Sequence, residues 1–290
     1  MPRFVTPSVY FVGVTTPDMS EIKRYLTDSG NEAFIEYIDE AIADGVTPEE
    51  CMISMFAKLC YKSLTVGHNP NITKVRDIKD NLRSILSTAH GSILEHIQFN
   101  FLFTNVSRVF THELVRHRIG TAFSQTSGRY VRLDEIELVL DPILNVCKEE
   151  VWDAIAQIEV LYKKLVEKSG VENVKDFTTK KKITSALRRI APNGLANEIA
   201  FSCNLRNIRH LIQLRTSRHS EWEIRTVFAD VYNVLVRRYP IMFEGAKVQE
   251  IDGLVEVSGL KTQPYEKQLS DYTKKELESE LATRLEDVQI

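Results

Sequence analysis

Residues 97–104 carry the pattern that most constrains the fold of this 290-residue chain. Four large apolar side chains fall on one face of an extended segment: Ile97, Phe99, Phe101 and Phe103. The polar residues at 98, 100 and 104 mostly face the other way. A period of two is typical of a strand that is buried on one side only. We therefore expect a half-buried strand here, the strongest strand of the chain.

Most of the remaining sequence has the spacing of amphipathic helices. Helices are predicted over 20–45, 48–62, 73–88, 107–118, 147–168, 178–191, 195–217 and 220–238. A short strand is predicted at 9–14 and an irregular loop at 121–134. Long helices around one strand region favour an α+β domain over a doubly wound sheet.

The overall charge and the apolar content limit the class of protein. The formal net charge is -3, whereas a generic nucleic-acid binder is usually basic. No run of about 18 apolar residues occurs, so no membrane span is expected. The four cysteines are scattered, which fits neither a disulfide framework nor a zinc motif. We expect a soluble cytoplasmic protein with reduced cysteines.

Two clusters of basic residues stand out in this mildly acidic chain. The first, within 107–130, contains four arginines: Arg108, Arg116, Arg118 and Arg129. The second combines arginines and histidines with one asparagine: Asn204, Arg206, Arg209, His210, Arg215, Arg218 and His219. Guanidinium groups suit phosphate and carboxylate oxygens. Although a solvated helix face would explain the second cluster alone, the two together favour one composite anionic pocket.

Three common catalytic arrangements are disfavoured by spacing. His112 and His117 lie five residues apart, whereas the zinc motif H-E-x-x-H places its histidines four apart, so no metal site is expected. No glycine-rich phosphate loop of the Rossmann or P-loop type occurs. Ser127 lacks the G-x-S-x-G elbow of a serine hydrolase. If a nucleotide binds, arginine side chains must hold its phosphates.

The first cluster resembles the signature of the flavin-dependent thymidylate synthases. That signature is R-H-R, a spacer of seven or eight residues, and Ser; here it is Arg116-His117-Arg118, eight residues, and Ser127. The similarity continues upstream through 90–96 and downstream from Arg188 to His219, and it covers roughly 50–245. The resemblance implies an antiparallel sheet flanked by long helices. It also implies methylation of dUMP to dTMP with methylenetetrahydrofolate, NADPH and bound FAD, in a homotetramer whose sites lie between subunits.

The same resemblance assigns roles to individual residues. The positions matching dUMP contacts are Arg108, Glu113, Arg116, Gln125, Ser127, Gly128, Arg129, Arg188 and Arg215. Those matching FAD contacts are Ser92, Glu95, Arg116, His117, Arg118, Asn204, Arg206, His210 and His219. His90 matches a histidine on the folate side. Arg215 and Ser127 are the catalytic candidates: Arg215 would stabilise negative charge on the pyrimidine. Ser127, which has no dedicated base, is expected to bind substrate rather than attack it.

Several expectations concern details around this core. Glu113 precedes Arg116 and His117 by three and four residues, so we expect these pairs to share a helical face; a plain ion pair within that helix is the alternative. Lys58 and Cys60 depart from the Arg and Ser that are common in the family. Residues 1–49 are predicted to be an N-terminal extension packed on the 50–245 core. Residues 246–290 are predicted to be a partly helical extension with an apolar stripe: Leu277, Leu281, Leu285 and Val288.

Two other functions remain compatible with these residues. One is a flavin or nucleotide enzyme that kept the pocket and changed its substrate. The other is a nucleic-acid-binding face without catalysis, which predicts affinity that falls steeply with salt and no bound flavin. The acidic net charge and the position of Glu113 within the first cluster speak against the second.

Overall fold

The computed structural model describes residues 2–133 and 135–261. The strands are β1 (Arg3–Val5), β2 (Ser8–Val14), β3 (Gln98–Ser107), β4 (Thr121–Gln125), β5 (Glu137–Val139), β6 (Ala196–Asn204), β7 (Lys247–Ile251) and β8 (Leu254–Ser258). The helices are α1 (Met19–Asp28), α2 (Phe34–Ala43), α3 (Pro48–Leu59), α4 (Ile78–Ser87), α5 (Gly91–Leu94), α6 (Arg108–Leu114), α7 (Lys148–Ser169), α8 (Phe177–Leu187), α9 (Leu205–Thr216) and α10 (Trp222–Arg238). None of these helices is long and apolar enough to cross a membrane.

The centre of the protein is an antiparallel sheet of four strands in the order β2-β3-β6-β4. The phenylalanines of β3 are fully buried, as their alternation predicts. Phe201 of β6 pairs with Phe101 and stacks on Phe103 and Phe123, with ring centroids 5.9 and 5.4 Å away. Because these aromatic rings bury large apolar areas, their packing contributes strongly to the stability of the sheet. The predicted α+β class is confirmed.

Helices cover the buried face of this sheet. The apolar residues of α9 and α10 join the main core, and so do those of α1 to α4. Tyr239, just after α10, donates a hydrogen bond of 2.5 Å to Glu49 on α3 and so ties the N-terminal helices to the C-terminal ones. A second, smaller core forms where α7 and α8 pack beside the parallel pair β1 and β5. The division into 1–49, 50–245 and 246–290 remains a prediction.

Two predictions about the site region are wrong. Residues 195–217 are not one helix, because 196–204 form β6, whose alternating Ile199, Phe201 and Cys203 are buried between β3 and β4. Residues 121–134 are not all loop, because 121–125 form β4, a short strand at the edge of the sheet. In both cases the partner strands, which are distant in sequence, stabilise an extended conformation that local pattern does not reveal.

Other differences concern element ends. The helix predicted at 20–45 is two helices separated by a turn at 29–33. The helix predicted from residue 73 begins at Ile78, because the Asp77 carboxylate accepts a hydrogen bond from the Asp80 amide and caps it. Within the extension predicted to be partly helical, residues 247–258 form a hairpin, and the Val257 amide donates to the hydroxyl of buried Thr216 on α9. The apolar stripe from Leu277 to Val288 lies outside the described residues.

Candidate active site

The R-H-R motif lies in a tight turn at the C-terminal end of α6. Ser107 caps the helix by accepting the Phe110 amide, and the helix ends at Leu114. The chain then turns through Gly120, whose φ of +64° favours glycine, and enters β4. A Cβ at Gly120 would overlap the amide of Asn204, so this turn also packs closely against the start of α9. The turn therefore presents residues 116–118 beside α9.

Arg215 of α9 joins the two basic clusters through two hydrogen bonds. Its Nη1 donates to Glu113 Oε2 at 2.9 Å, and its Nε donates to His117 Nε2 at 2.8 Å. Burial, the adjacent Arg215 and His210 lower the pKa of His117 to about 4, so the imidazole is neutral near pH 7 and accepts this bond. The three remaining N–H groups of Arg215 have no acceptor among the described residues.

The expected pairing of Glu113 with Arg116 and His117 on one helical face is wrong. The helix ends before Arg116, so the i, i+3 and i, i+4 geometry is lost, and the ion-pair partner of Glu113 is Arg215. The alternative of an ion pair within that helix fails for the same reason. The carboxylate acts instead as a bridge between α6 and α9.

Two further carboxylates lie behind Glu113 at the start of α10. Burial raises the pKa of Glu221, and Glu113 adds to the effect. Glu223 is 3% exposed and accepts hydrogen bonds from the Ser107 amide, at 2.6 Å, and from its hydroxyl. Because Ser107 is the cap of α6, Glu223 anchors the helix that carries Glu113.

The residues matched to dUMP lie on four segments. Gln125 on β4 donates to the Thr111 hydroxyl of α6 at 3.1 Å. Ser127 begins a turn in which its hydroxyl accepts the Arg129 amide at 3.4 Å. The Arg188 side chain crosses Gly128, because a Cβ there would lie 3.4 Å from Arg188 Cδ. Several exposed arginines have no ion pair with any described carboxylate: Arg108, Arg116, Arg118, Arg129 and Arg188.

Four of the residues matched to FAD and folate form a second group around α5: His90, Ser92, Glu95 and Arg206. The FAD-matched residues 116–118 lie instead in the R-H-R turn, where His117 contacts Arg215. Arg206 at the start of α9 pairs with Glu95 at 2.6 Å. A Cβ on Gly91 would lie only 2.5 Å from Arg206 Nε, so the guanidinium rests directly on the glycine backbone. A cavity of about 420 Å³ adjoins this contact and is lined by Cys60, Tyr61, His90, Gly91, Ser92 and Arg206, among others.

The two groups face different sides of α9. Arg206 and Arg215 are nine residues apart on that helix, and at about 100° per residue they project in opposite directions. His210 is exposed on the same side as Arg206, and His219 is exposed beyond the helix end. One subunit alone therefore does not direct all matched residues into one pocket.

Two residues of the second cluster have structural roles. Arg209 is 1% exposed and donates to the backbone oxygens of Met242 and Lys261, so it belongs to the core rather than to an anionic face. Asn204 precedes α9 and is buried; its side-chain oxygen caps the helix by accepting the Asn207 amide at 2.8 Å. It therefore does not share a helical face with Arg215, as a helix over 195–217 would have required.

Sequence reasoning missed several residues of this region. Thr111 and Glu223 contact it only through tertiary packing, and no local pattern marks them. Tyr61 stacks on His90 with ring centroids 6.3 Å apart. Of these contacts, only the one at Gly91 had a signal in the sequence. Gly91 follows His90 in the matched 90–96 segment, and a glycine beside charged residues often lets another group approach the backbone closely.

Comparison with known proteins identifies the family of this chain. A sequence model of the family described as "Thymidylate synthase complementing protein" matches residues 42–241. A flavin-dependent thymidylate synthase of Corynebacterium glutamicum is 30% identical over 223 residues, which are 74% of this chain and 86% of the relative. One from Clostridium tetani is 29% identical over 202 residues, 67% of this chain and 81% of the relative.

A solved structure shares the fold. It is the UMP/dUMP methylase PolB from Streptomyces cacaoi bound with 5-Br dUMP, with a TM-score of 0.53 and 14% identity; the match covers 82% of this chain and 94% of that one. The chain belongs to the thymidylate synthase complementing protein family, which confirms the resemblance to flavin-dependent thymidylate synthases. The roles assigned to individual residues remain predictions.

Proposed function

We propose that this protein is a flavin-dependent thymidylate synthase. It converts dUMP, methylenetetrahydrofolate, NADPH and a proton to dTMP, tetrahydrofolate and NADP⁺, with FAD as the bound cofactor. The observation that carries the proposal is the contact of Arg215 with Glu113 and His117 beside the R-H-R turn, in a chain whose family match spans 42–241. Relatives matched along most of their length carry the name of this activity.

Arg215 has the geometry of an electrostatic catalyst. Glu113 and neutral His117 fix the guanidinium from one side, and its three remaining N–H groups are available to a pyrimidine. Donors held in advance stabilise charge that develops on a substrate at little reorganisation cost. Because His117 is uncharged, it orients Arg215 without adding a second positive charge. Arg215 thus stabilises the pyrimidine oxygen that becomes negative as the ring is reduced.

The dUMP phosphate and base require different groups. Arg108, Arg129 and Arg188 are exposed cations without described carboxylate partners, which suits them to phosphate oxygens. Gln125 is held by Thr111 at the edge of the sheet, and the turn at Ser127 and Gly128 supplies backbone groups. These uncharged groups suit the edge of a uracil ring. Ser127 binds substrate in this arrangement, because no described base contacts its hydroxyl.

The region around Gly91 fits the flavin. A glycine backbone in contact with the Arg206 guanidinium, beside an exposed Ser92, offers close approach and positive charge to a pyrophosphate. Next to this region the stacked rings of Tyr61 and His90 offer a planar wall to the pterin of the folate, because the resemblance places His90 on the folate side. When bound, FAD carries the electrons from NADPH to the pyrimidine. The chain's contribution is to bind the cofactor and to orient it.

We also propose a homotetramer whose active sites lie between subunits. The group around Arg206 and α5 projects from the side of α9 opposite to Arg215, so we infer that residues of other copies complete the site at each side. The exposed arginines at 116, 118 and 129 lack described partners within the subunit, which fits groups that meet ligands held partly by a neighbour. Measurement of mass by light scattering, with a tetramer as the expected result, tests this arrangement.

The visible spectrum of the purified protein tests the proposed function. FAD is added, and absorbance is followed anaerobically before and after NADPH, with and without dUMP. We expect bound flavin that bleaches with NADPH and recovers when dUMP and methylenetetrahydrofolate are both present. Bound flavin without dUMP-dependent recovery indicates an enzyme with another substrate. No bound flavin, with salt-sensitive binding of nucleic acid, would overturn the proposal.

Replacement of Gly91 by alanine is expected to lower FAD affinity by about tenfold or more. The new methyl group displaces the Arg206 guanidinium, which then loses its hydrogen bond to Glu95 and its position for a cofactor anion. FAD titration measures the effect, and circular dichroism checks the fold. Gly13→Ala is the matched control, because its Cβ would lie 3.4 Å from the Asn100 side chain, an ordinary contact. Equal FAD affinity in the two variants contradicts the assignment.

A further inference from the structure

A second, larger cavity adjoins the one beside Gly91. It has a volume of about 590 Å³ and lies between α3, α4 and the segment 63–76. The two cavities share the wall residues Ala57, Tyr61 and His90. A ligand that stacks near His90 therefore has a direct path into the larger space.

The lining of the larger cavity is basic. It includes Lys58, Lys74 and Arg76, and it contains no aspartate or glutamate. The Asp77 carboxylate favours the charged form of Lys58, but it is engaged in capping α4, where it accepts the Asp80 amide. Arg76 donates one hydrogen bond to the Ser84 hydroxyl at 2.7 Å and has no ion pair among the described residues. The cavity thus presents positive charge that the described part of the chain does not neutralise.

Lys58 is the most informative of these cations. Its side chain is 3% exposed, and its ammonium group donates to the Arg76 backbone oxygen at 2.7 Å. The ammonium also lies 5.4 Å from the centroid of the Phe34 ring, a cation–π contact. Its other two N–H groups have no described oxygen or nitrogen acceptor, and no described carboxylate pairs with the charge. Burial and the nearby Arg76 lower the pKa of Lys58 to about 8, so the group is still mainly protonated near pH 7. The Phe34 ring offsets only part of the cost of burying this cation, and an anionic ligand would supply the missing counter-ion.

We propose that this cavity receives the anionic glutamate tail of the folate substrate, with Lys58, Lys74 and Arg76 binding its carboxylates. This inference rests on the proposed function. A folate consists of a pterin, a p-aminobenzoyl spacer and one or more glutamates; the first glutamate carries two carboxylates and each further one adds another. The pterin belongs beside His90, and the shared wall at Tyr61 lets the spacer pass into the basic cavity. The polar side chains there, such as Asn71 and Thr73, suit the amides of the tail.

The phosphates of NADPH are the other anions in this reaction, and the experiment separates them from the folate tail. KM is measured for methylenetetrahydrofolate with one and with three glutamates, and for NADPH. In the parent protein the triglutamate is expected to have the lower KM. In Lys58→Met this advantage is expected to fall by about tenfold or more, the size of a lost hydrogen bond to a charged group. The KM for NADPH and the kcat are expected to stay within about twofold of the parent.

Lys74→Gln serves as a second variant, since Lys74 is exposed and its replacement leaves the core intact even if Lys58→Met folds poorly. Lys79→Gln is the matched control: Lys79 lies on α4 outside the cavity and pairs with Asp44 at 3.3 Å. Only the two cavity variants, Lys58→Met and Lys74→Gln, should reduce the triglutamate advantage.

Each outcome of this experiment decides the proposal. A smaller triglutamate advantage in Lys58→Met or Lys74→Gln, but not in Lys79→Gln, supports it. No change in either cavity variant overturns it, and so does a rise in the KM for NADPH alone. Failure of the proposed function is distinguishable, because it appears in the parent protein as absence of dTMP formation with the monoglutamate.

Discussion

Replacement of Arg215 by methionine is expected to lower the rate of dTMP formation by about a thousandfold or more while FAD still binds. Loss of one preorganised donor at a developing negative charge typically costs about a hundredfold to a thousandfold. Here the change also leaves Glu113, a partly buried carboxylate, without its ion-pair partner beside the substrate. Methionine preserves much of the side-chain volume, so the expected loss is electrostatic rather than one of packing.

The rate of dTMP formation, measured at saturating dUMP with flavin content determined by absorbance, tests this expectation. Arg237→Met is the matched control, because Arg237 is exposed near the end of α10. A second readout is the pKa of His117 by NMR. It should rise from about 4 when the adjacent cation is removed, although burial still holds it below the ordinary value. If Arg215→Met forms dTMP at a rate within about tenfold of the parent, Arg215 is not a catalytic residue.

Part of this fold is predictable from local sequence, and the reason is visible in two neighbouring strands. The phenylalanines of β3 alternate strictly with other residues, and the segments on either side of them do not continue their apolar pattern with helical spacing. In β6 the alternation of Ile199, Phe201 and Cys203 runs without a break into the apolar face of α9. The end of that strand is set by the Asn204 cap and by pairing with β3. Neither the cap nor the strand pairing can be recognised reliably from a single sequence.

The candidate site, too, is predictable from the sequence only in part. Its charged residues are predictable because so many cations rarely cluster without a function. Their partners are not, since Glu113 and Arg215 lie 102 positions apart and meet only after β3 pairs with β6. Lys58 and Glu223 are harder still, because charged residues are usually exposed and these two are buried. Buried charges are visible only once the packing around them is known.

Replacement of Glu223 by glutamine is expected to change the dependence of stability on pH. Burial raises the pKa of this carboxyl group to about 7, against the two Ser107 hydrogen bonds that favour ionisation. Between about pH 4.5 and 7 the folded protein therefore binds a proton that the unfolded chain has released. The free energy of unfolding then falls as the pH rises through this window, by about 3 kcal/mol from this group alone. Glutamine cannot ionise, so the variant lacks this contribution.

The free energy of unfolding in urea, at about pH 5 and about pH 8, measures the effect at one protein concentration. The difference between parent and variant isolates Glu223, because His117, with its lowered pKa, contributes with the opposite sign in both proteins. Glu250→Gln, at an exposed position of β7, is the matched control and should keep the parent's profile. Identical profiles for Glu223→Gln and the parent would mean that the carboxyl group is already ionised in the fold. Ser107, the cap of α6, would then be held by a charged Glu223. That charge would persist at pH 5, so protonation of Glu223 would not weaken the site in this range.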